Sequence, residues 1–145
     1  MQIEWLILAD AAQIADGKLY LLGGGWDRIW VNAGFPSVHS VALAISFRVP
    51  WNETNQLHQV EVEITDQDHA GTLVKIEGSV EVGRPAGLEP GGEQRSQFVA
   101  NFPLRFEWPG TYAVNARVKD GVSARTTFTV VPGPLLAMKM ASGGA

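Results

Sequence analysis

The chain has 145 residues, 46% of them hydrophobic and 18% charged, with a net charge of −4 and no cysteine. That length supports one domain with a core of its own, and the balance of apolar and charged residues is that of a globular rather than a disordered chain. An acidic chain with scattered arginines has no bulk attraction for nucleic acid or an anionic membrane, and the lack of cysteine removes disulfides, thiolate metal sites and a thiol nucleophile together.

The opening Met1-Gln2-Ile3-Glu4 holds no Lys or Arg, and the apolar run over residues 5–9 falls short of the roughly 7–15 residues of a secretory signal. Residues 3–9 read as a first strand, apolar at both parities and so expected to be buried on both faces. Asp16-Gly17 marks a turn and residues 18–22 a second strand; Gly23-Gly24-Gly25 interrupts it, and residues 26–31 resume. A phosphate loop needs a helix start behind the glycines, usually with a Lys and a Ser or Thr. Here the chain returns to strand, so the glycines predict a bulge or bend where a strand crosses between sheets.

After a loop over residues 32–36, Val41, Leu43, Ile45, Phe47 and Val49 alternate with Ala42, Ala44, Ser46 and Arg48, predicting a long strand that Pro50 ends. Residues 51–56 are polar and read as a loop or a single helical turn. Val60, Val62 and Ile64 predict the next strand, with Val74, Ile76, Val80 and Val82 on its partner. Keeping both apolar sets on one face requires paired residue numbers with an even sum, and a sum of 138 sets Glu63 opposite Lys75 and Glu61 opposite Glu77. Between these strands, Asp66-Gln67-Asp68-His69-Ala70-Gly71 has the opening spacing of a calcium loop, but strand residues fill the approach to its twelfth position, Glu77. An Asx-rich hairpin turn is the ordinary reading.

Residues 83–95 form the longest stretch without a pattern, and Phe98, Ala100, Phe102, Leu104 and Phe106 then alternate around Pro103, which demotes this strand to an edge or a bulge. Residues 106–131 give two more alternating strands, with Tyr112, Val114, Ala116 and Val118 on one and Val122, Ala124, Phe128 and Val130 on the other. A two-residue Asp-Gly turn would send Phe128 to the face opposite Tyr112. A three-residue loop, Lys119-Asp120-Gly121, instead sets Val118 opposite Val122, Ala116 opposite Ala124 and Tyr112 opposite Phe128, with Gly121 in the left-handed position of a G1 bulge. The tail over residues 133–145 shows no strand pattern and is expected to be loosely held. Seven to nine strands without a helical period predict one all-β antiparallel sandwich over residues 1–132, against the α/β folds that host most nucleotide-binding enzymes.

Chemistry-bearing motifs are few. His39, His58 and His69 lack metal-ligand spacing, no G-x-S-x-G nucleophile turn occurs, and Glu61, Glu63, Glu77 and Glu81 read as a solvated acidic face. No catalytic set, metal or cofactor is expected. The tryptophans are more informative. Trp26 and Trp30 flank Arg28 on one parity, and Trp51 follows Pro50 in a polar loop. Aromatics beside arginine suit recognition of a partner or a sugar-like ligand, although core packing is the commoner use of a large aromatic. Trp26, Arg28, Trp30 and Trp51 are the candidate binding residues.

Pro109-Gly110-Thr111-Tyr112, with Val114 two residues on, is similar to the immunoglobulin-like corner in which a Tyr near the start of a late strand hydrogen-bonds back to the preceding residues. Val114 stands where an antibody domain has its disulfide cysteine. The blocks Ala9-Asp10-Ala11-Ala12, Asp16-Gly17-Lys18-Leu19 and Leu22-Gly23-Gly24-Gly25-Trp26, together with that corner, resemble a small bacterial family of domains of unknown function. The resemblance implies an immunoglobulin-like β-sandwich and carries no activity. The resulting expectation is a soluble, cytoplasmic, non-enzymatic binding or assembly module. Its partner is a protein or a second copy, with no nucleic acid and no membrane, met through an unguarded first strand or the apolar tail Leu135, Leu136, Met138 and Met140. The alternative is a hydrolase or carbohydrate-handling activity built on loops.

Overall fold

The computed structural model describes residues 1–119 and 121–143. Its strands are β1 (Gln2–Ala15), β2 (Lys18–Gly24), β3 (Arg28–Val31), β4 (Ser37–Val49), β5 (Leu57–Asp66), β6 (Thr72–Glu81), β7 (Gln94–Phe106), β8 (Gly110–Val118) and β9 (Ser123–Pro132), followed by helix α1 (Pro134–Ala141). They form a four-stranded sheet in the order β2-β1-β4-β7 and a five-stranded sheet in the order β3-β9-β8-β5-β6. This is a β-sandwich with the immunoglobulin-like order. β1, β4 and β7 take the places of strands A, B and E; β9, β8, β5 and β6 take those of G, F, C and C′. No strand stands in the D position, because the chain between Glu81 and Gln94 forms none. One departure from the expected antiparallel architecture is β3, which runs parallel to β9.

The core lies between the sheets. Val41, Leu43, Ile45, Phe47 and Val49 of β4 face Val62, Ile64, Tyr112, Val114, Ala116, Phe128 and Val130 of the second sheet, all buried. Phe106, Tyr112 and Phe128 form an aromatic cluster, with Phe106 edge-on to Tyr112 at 5.0 Å and Tyr112 stacked on Phe128 at 5.6 Å.

Two registers read from parity are found. Glu63 pairs with Lys75 and Glu61 with Glu77. The like-charged pair is relieved by Lys75, whose Nζ lies 3.7 Å from Glu61 and 3.4 Å from Glu77, and by Arg117, 3.1 Å from Glu61. In the closing hairpin Ala116 pairs with Ala124 and Tyr112 with Phe128. The loop makes both hydrogen bonds its geometry needs, Val118 N–H to Val122 O and Gly121 N–H to Val118 O, each at 3.0 Å. Asp120, and with it the torsion expected at Gly121, lies outside the described residues.

The triple glycine marks the crossing between sheets. β2 ends in the first sheet and β3 begins in the second, with Gly23 at φ +59° and Gly25 at φ +82°. Those angles suit glycine, and at Gly23 a Cβ would also strike the Asp10 carboxylate. Residues 51–53 form a single 3-10 turn, and Pro103 lies in an edge strand.

Two expectations are corrected. The first strand is no edge, since β1 pairs with β2 on one side and β4 on the other. The tail contains the eight-residue helix α1, started by Pro134 behind Gly133, and Leu136 packs against the core. On β4, Ala42, Ala44 and Ser46 are buried as well as the set that faces the core. Beyond Ala9 the β1–β4 ladder stops, and Ala12 is hydrogen-bonded to the side chain of Asn101 on β7. β1 therefore bends across the outer face of the sheet over Ala42, while Ile7 and Val99 flank Ala44 and Glu4 covers Ser46.

Candidate functional site

β3 is a four-residue edge strand held on one side only, by β9. Its period of two sends Val31 into the core with Ile29 packed against it, and turns Arg28 and Trp30 outward. Trp30 is 55% exposed, and the Arg28 guanidinium carbon lies 5.7 Å from its ring centre. Trp26 does not share that face. It precedes the strand, so the period of two does not govern it. Its ring packs inward, edge-on to Phe128 at 5.7 Å. Its indole N–H is buried without an acceptor among the described residues.

Arg28, Trp30, Trp26 and Ile29 share an open recess of about 250 Å³ with Asp10 of β1 and with His39 and Ser40 of β4. Of the seven arginines, Arg48, Arg84, Arg95, Arg105, Arg117 and Arg125 all donate hydrogen bonds within the chain. Arg28 makes none among the described residues. Its five donors remain available beside an exposed aromatic face.

Trp51 is elsewhere. It follows the far end of β4, a 13-residue strand that spans about 40 Å at ~3.3 Å per residue. There Arg84 lies over its ring at 4.0 Å and donates to its carbonyl at 2.8 Å and to Thr54 Oγ1 at 2.6 Å. This closed set pins the loop to the sandwich. Asp10, His39 and Ser40 carried no signal in the sequence, because only the packing of separate strands brings them to the recess.

A second cluster surrounds the tyrosine corner. Tyr112 donates its hydroxyl to Trp108 O at 2.6 Å, and burial pushes its ionisation up to about 12. Beside it, the buried Asp66 carboxylate accepts the N–H groups of Asp68 and His69 through Oδ1, while Oδ2 lies 3.0 Å from His69 Nδ1. The imidazole stacks on Trp108 at 5.2 Å. This is the Asx turn read from the sequence, now with its histidine anchored.

A third cluster centres on Glu4 at the β1 bulge. Its carboxylate accepts Arg95 at 2.7 and 2.8 Å, Ser46 Oγ at 2.8 Å and Arg48 at 3.1 Å. The hydrogen bonds from Arg95 and Ser46, with the charges of Arg95 and Arg48, hold its ionisation down to about 2. Among the described residues no three His, Cys, Asp or Glu side chains converge as a metal site requires, and no helix is long and apolar enough to cross a membrane.

Two packed sheets locked by a tyrosine corner, with an arginine and a tryptophan displayed on a short edge strand, define the class as an all-β sandwich domain. Within that class the chain belongs to the family of unknown function DUF6941, which matches residues 4–131, from near the start of β1 to near the end of β9. A comparison with curated proteins finds no match.

Proposed function

We propose that the protein is a non-enzymatic binding or assembly module of the bacterial cytoplasm that holds a protein partner at the Arg28–Trp30 edge. The observation that carries this reading is the unspent guanidinium of Arg28 on the face of an exposed Trp30. Arginine and tryptophan dominate the energetics of protein interfaces when a partner desolvates them. The fork of Arg28 suits a carboxylate from the partner, the exposed ring of Trp30 suits an apolar or aromatic side chain, and the recess beside them offers the polar groups of Asp10, His39 and Ser40.

The hydrolase alternative has one observation in its favour, the Asp66–His69 pair. Against it, no hydroxyl is hydrogen-bonded to His69 among the described residues, and Asp66 Oδ1 is taken by two turn amides. Those contacts are what a structural turn needs. Cross-linking and quantitative capture from the source cell test the binding reading with wild type, Arg28→Ala, Trp30→Ala and the surface control Leu57→Ala. A partner lost by the first two variants and kept by the third is the expected result. A partner held equally by all three, or turnover on a hydrolase panel abolished by His69→Ala, would overturn it.

A further inference from the structure

The sandwich has four sheet edges, and they are not equally guarded. β3 is four residues long, β2 is seven and ends in glycine, and β6 displays Lys75, Glu77 and Glu81. Short length, glycine and charge are the usual protections against strand addition. β7 differs. It is thirteen residues long and pairs with β4 through Phe106 without a register shift, so nothing twists its free edge away.

The protections on β7 are confined to its ends. Pro103 keeps its pairing with Ser40 although it has no N–H, as proline does when its nitrogen faces the open edge. Arg95, Gln97, Val99 and Asn101 share that parity and therefore direct their N–H and C=O groups outward as well. The one charge in this stretch, Arg95, is already held by Glu4. The flank beside it is apolar and incompletely closed. Phe98 and Phe102 of β7 and Ile76 and Val80 of β6 are only partly buried, and the missing side chain of Gly78 leaves Phe98 an open neighbour. This is where an immunoglobulin-like sandwich carries its D strand.

We propose that the free edge of β7 is a self-association edge, on which a second copy of this chain lays its own β7 antiparallel. The edge is complementary to itself. With the two-fold axis at Phe98, Arg95 meets Asn101 of the second copy and Gln97 meets Val99, so no like charges are opposed. The two Phe98 rings then sit side by side on the inward face and close the flank that one copy leaves open.

The test is sedimentation of the full chain from micromolar to millimolar concentration, with amide exchange followed on the same samples. The expected result is a dimer whose formation slows exchange at Gln97, Val99 and Asn101. Val99→Pro removes an outward N–H, breaks no bond to β4 by this geometry, and is expected to weaken association at least tenfold. If that variant fails to fold, Gln97→Lys with Val99→Lys sets lysines opposite each other across the axis and is expected to do the same. A monomer at every concentration would overturn the proposal, as would a dimer that survives the lysine pair with unchanged affinity.

Discussion

Asn101 and Ala12, 89 residues apart, are joined by two hydrogen bonds: Asn101 Nδ2 donates to Ala12 O at 2.8 Å, and Ala12 N–H donates to Asn101 Oδ1 at 3.1 Å. One amide side chain thus does what a neighbouring strand would do, satisfying both backbone groups of Ala12 after β1 has left its ladder with β4. Asn101→Ala should release the β1–β2 arm. The expected loss is about 1–3 kcal/mol of stability in denaturant unfolding, with faster exchange at the Ala12 amide. Asn101→Asp should fare no better, since it offers no donor to the Ala12 carbonyl.

The tyrosine corner gives an alkaline prediction. Tyr112→Phe should cost about 1 kcal/mol by deleting the hydrogen bond to Trp108 O. In the wild type, burial raises the ionisation of Tyr112 from 10.0 to about 12. A raised value favours the protonated form in the fold, so this contribution is intact below pH 10 and is lost as the pH rises through 12. Unfolding measured across that range should show a wild-type decline that Tyr112→Phe lacks.

Glu4 acts at the acid end. Its ionisation falls from 4.5 to about 2 on folding, chiefly through the hydrogen bond from Arg95. A lowered carboxyl value contributes stability above its unfolded value, and that contribution is lost as the pH falls through the folded one. Acid unfolding of Glu4→Gln should therefore be flatter than wild type between pH 4.5 and about 2, and the difference should shrink in high salt, since the arginines are partly exposed.

Parity made much of the fold legible. The sums that place Glu63 on Lys75 and Tyr112 on Phe128 follow from a rule with two outcomes, since a slip of one residue turns every side chain over. What parity does not encode is which strand stands outside another. Apolar residues at both parities of β1 fit either a central strand or an exposed edge, and its place between β2 and β4 is set by the bend over Ala42 and by the contacts of Ala12 with Asn101 and of Glu4 with Arg95. The candidate site divided for a similar reason. Trp26, Arg28 and Trp30 share a parity, but the glycine crossing places Trp26 ahead of the strand, and β4 separates Trp51 from the rest. Helix α1 leaves little trace in the sequence, because eight residues give barely two turns of pattern.

The most direct measurement on the central claim, that Arg28 and Trp30 are kept for a partner while Trp26 serves the core, is denaturant unfolding of three alanine variants. Arg28→Ala and Trp30→Ala should each lie within about 0.5 kcal/mol of wild type, as exposed positions do. Trp26→Ala should lose about 3–5 kcal/mol by removing a large aromatic from its seat on Phe128. Equal and large losses at all three positions would mean that Arg28 and Trp30 hold the sandwich together, and would contradict their assignment as a recognition surface.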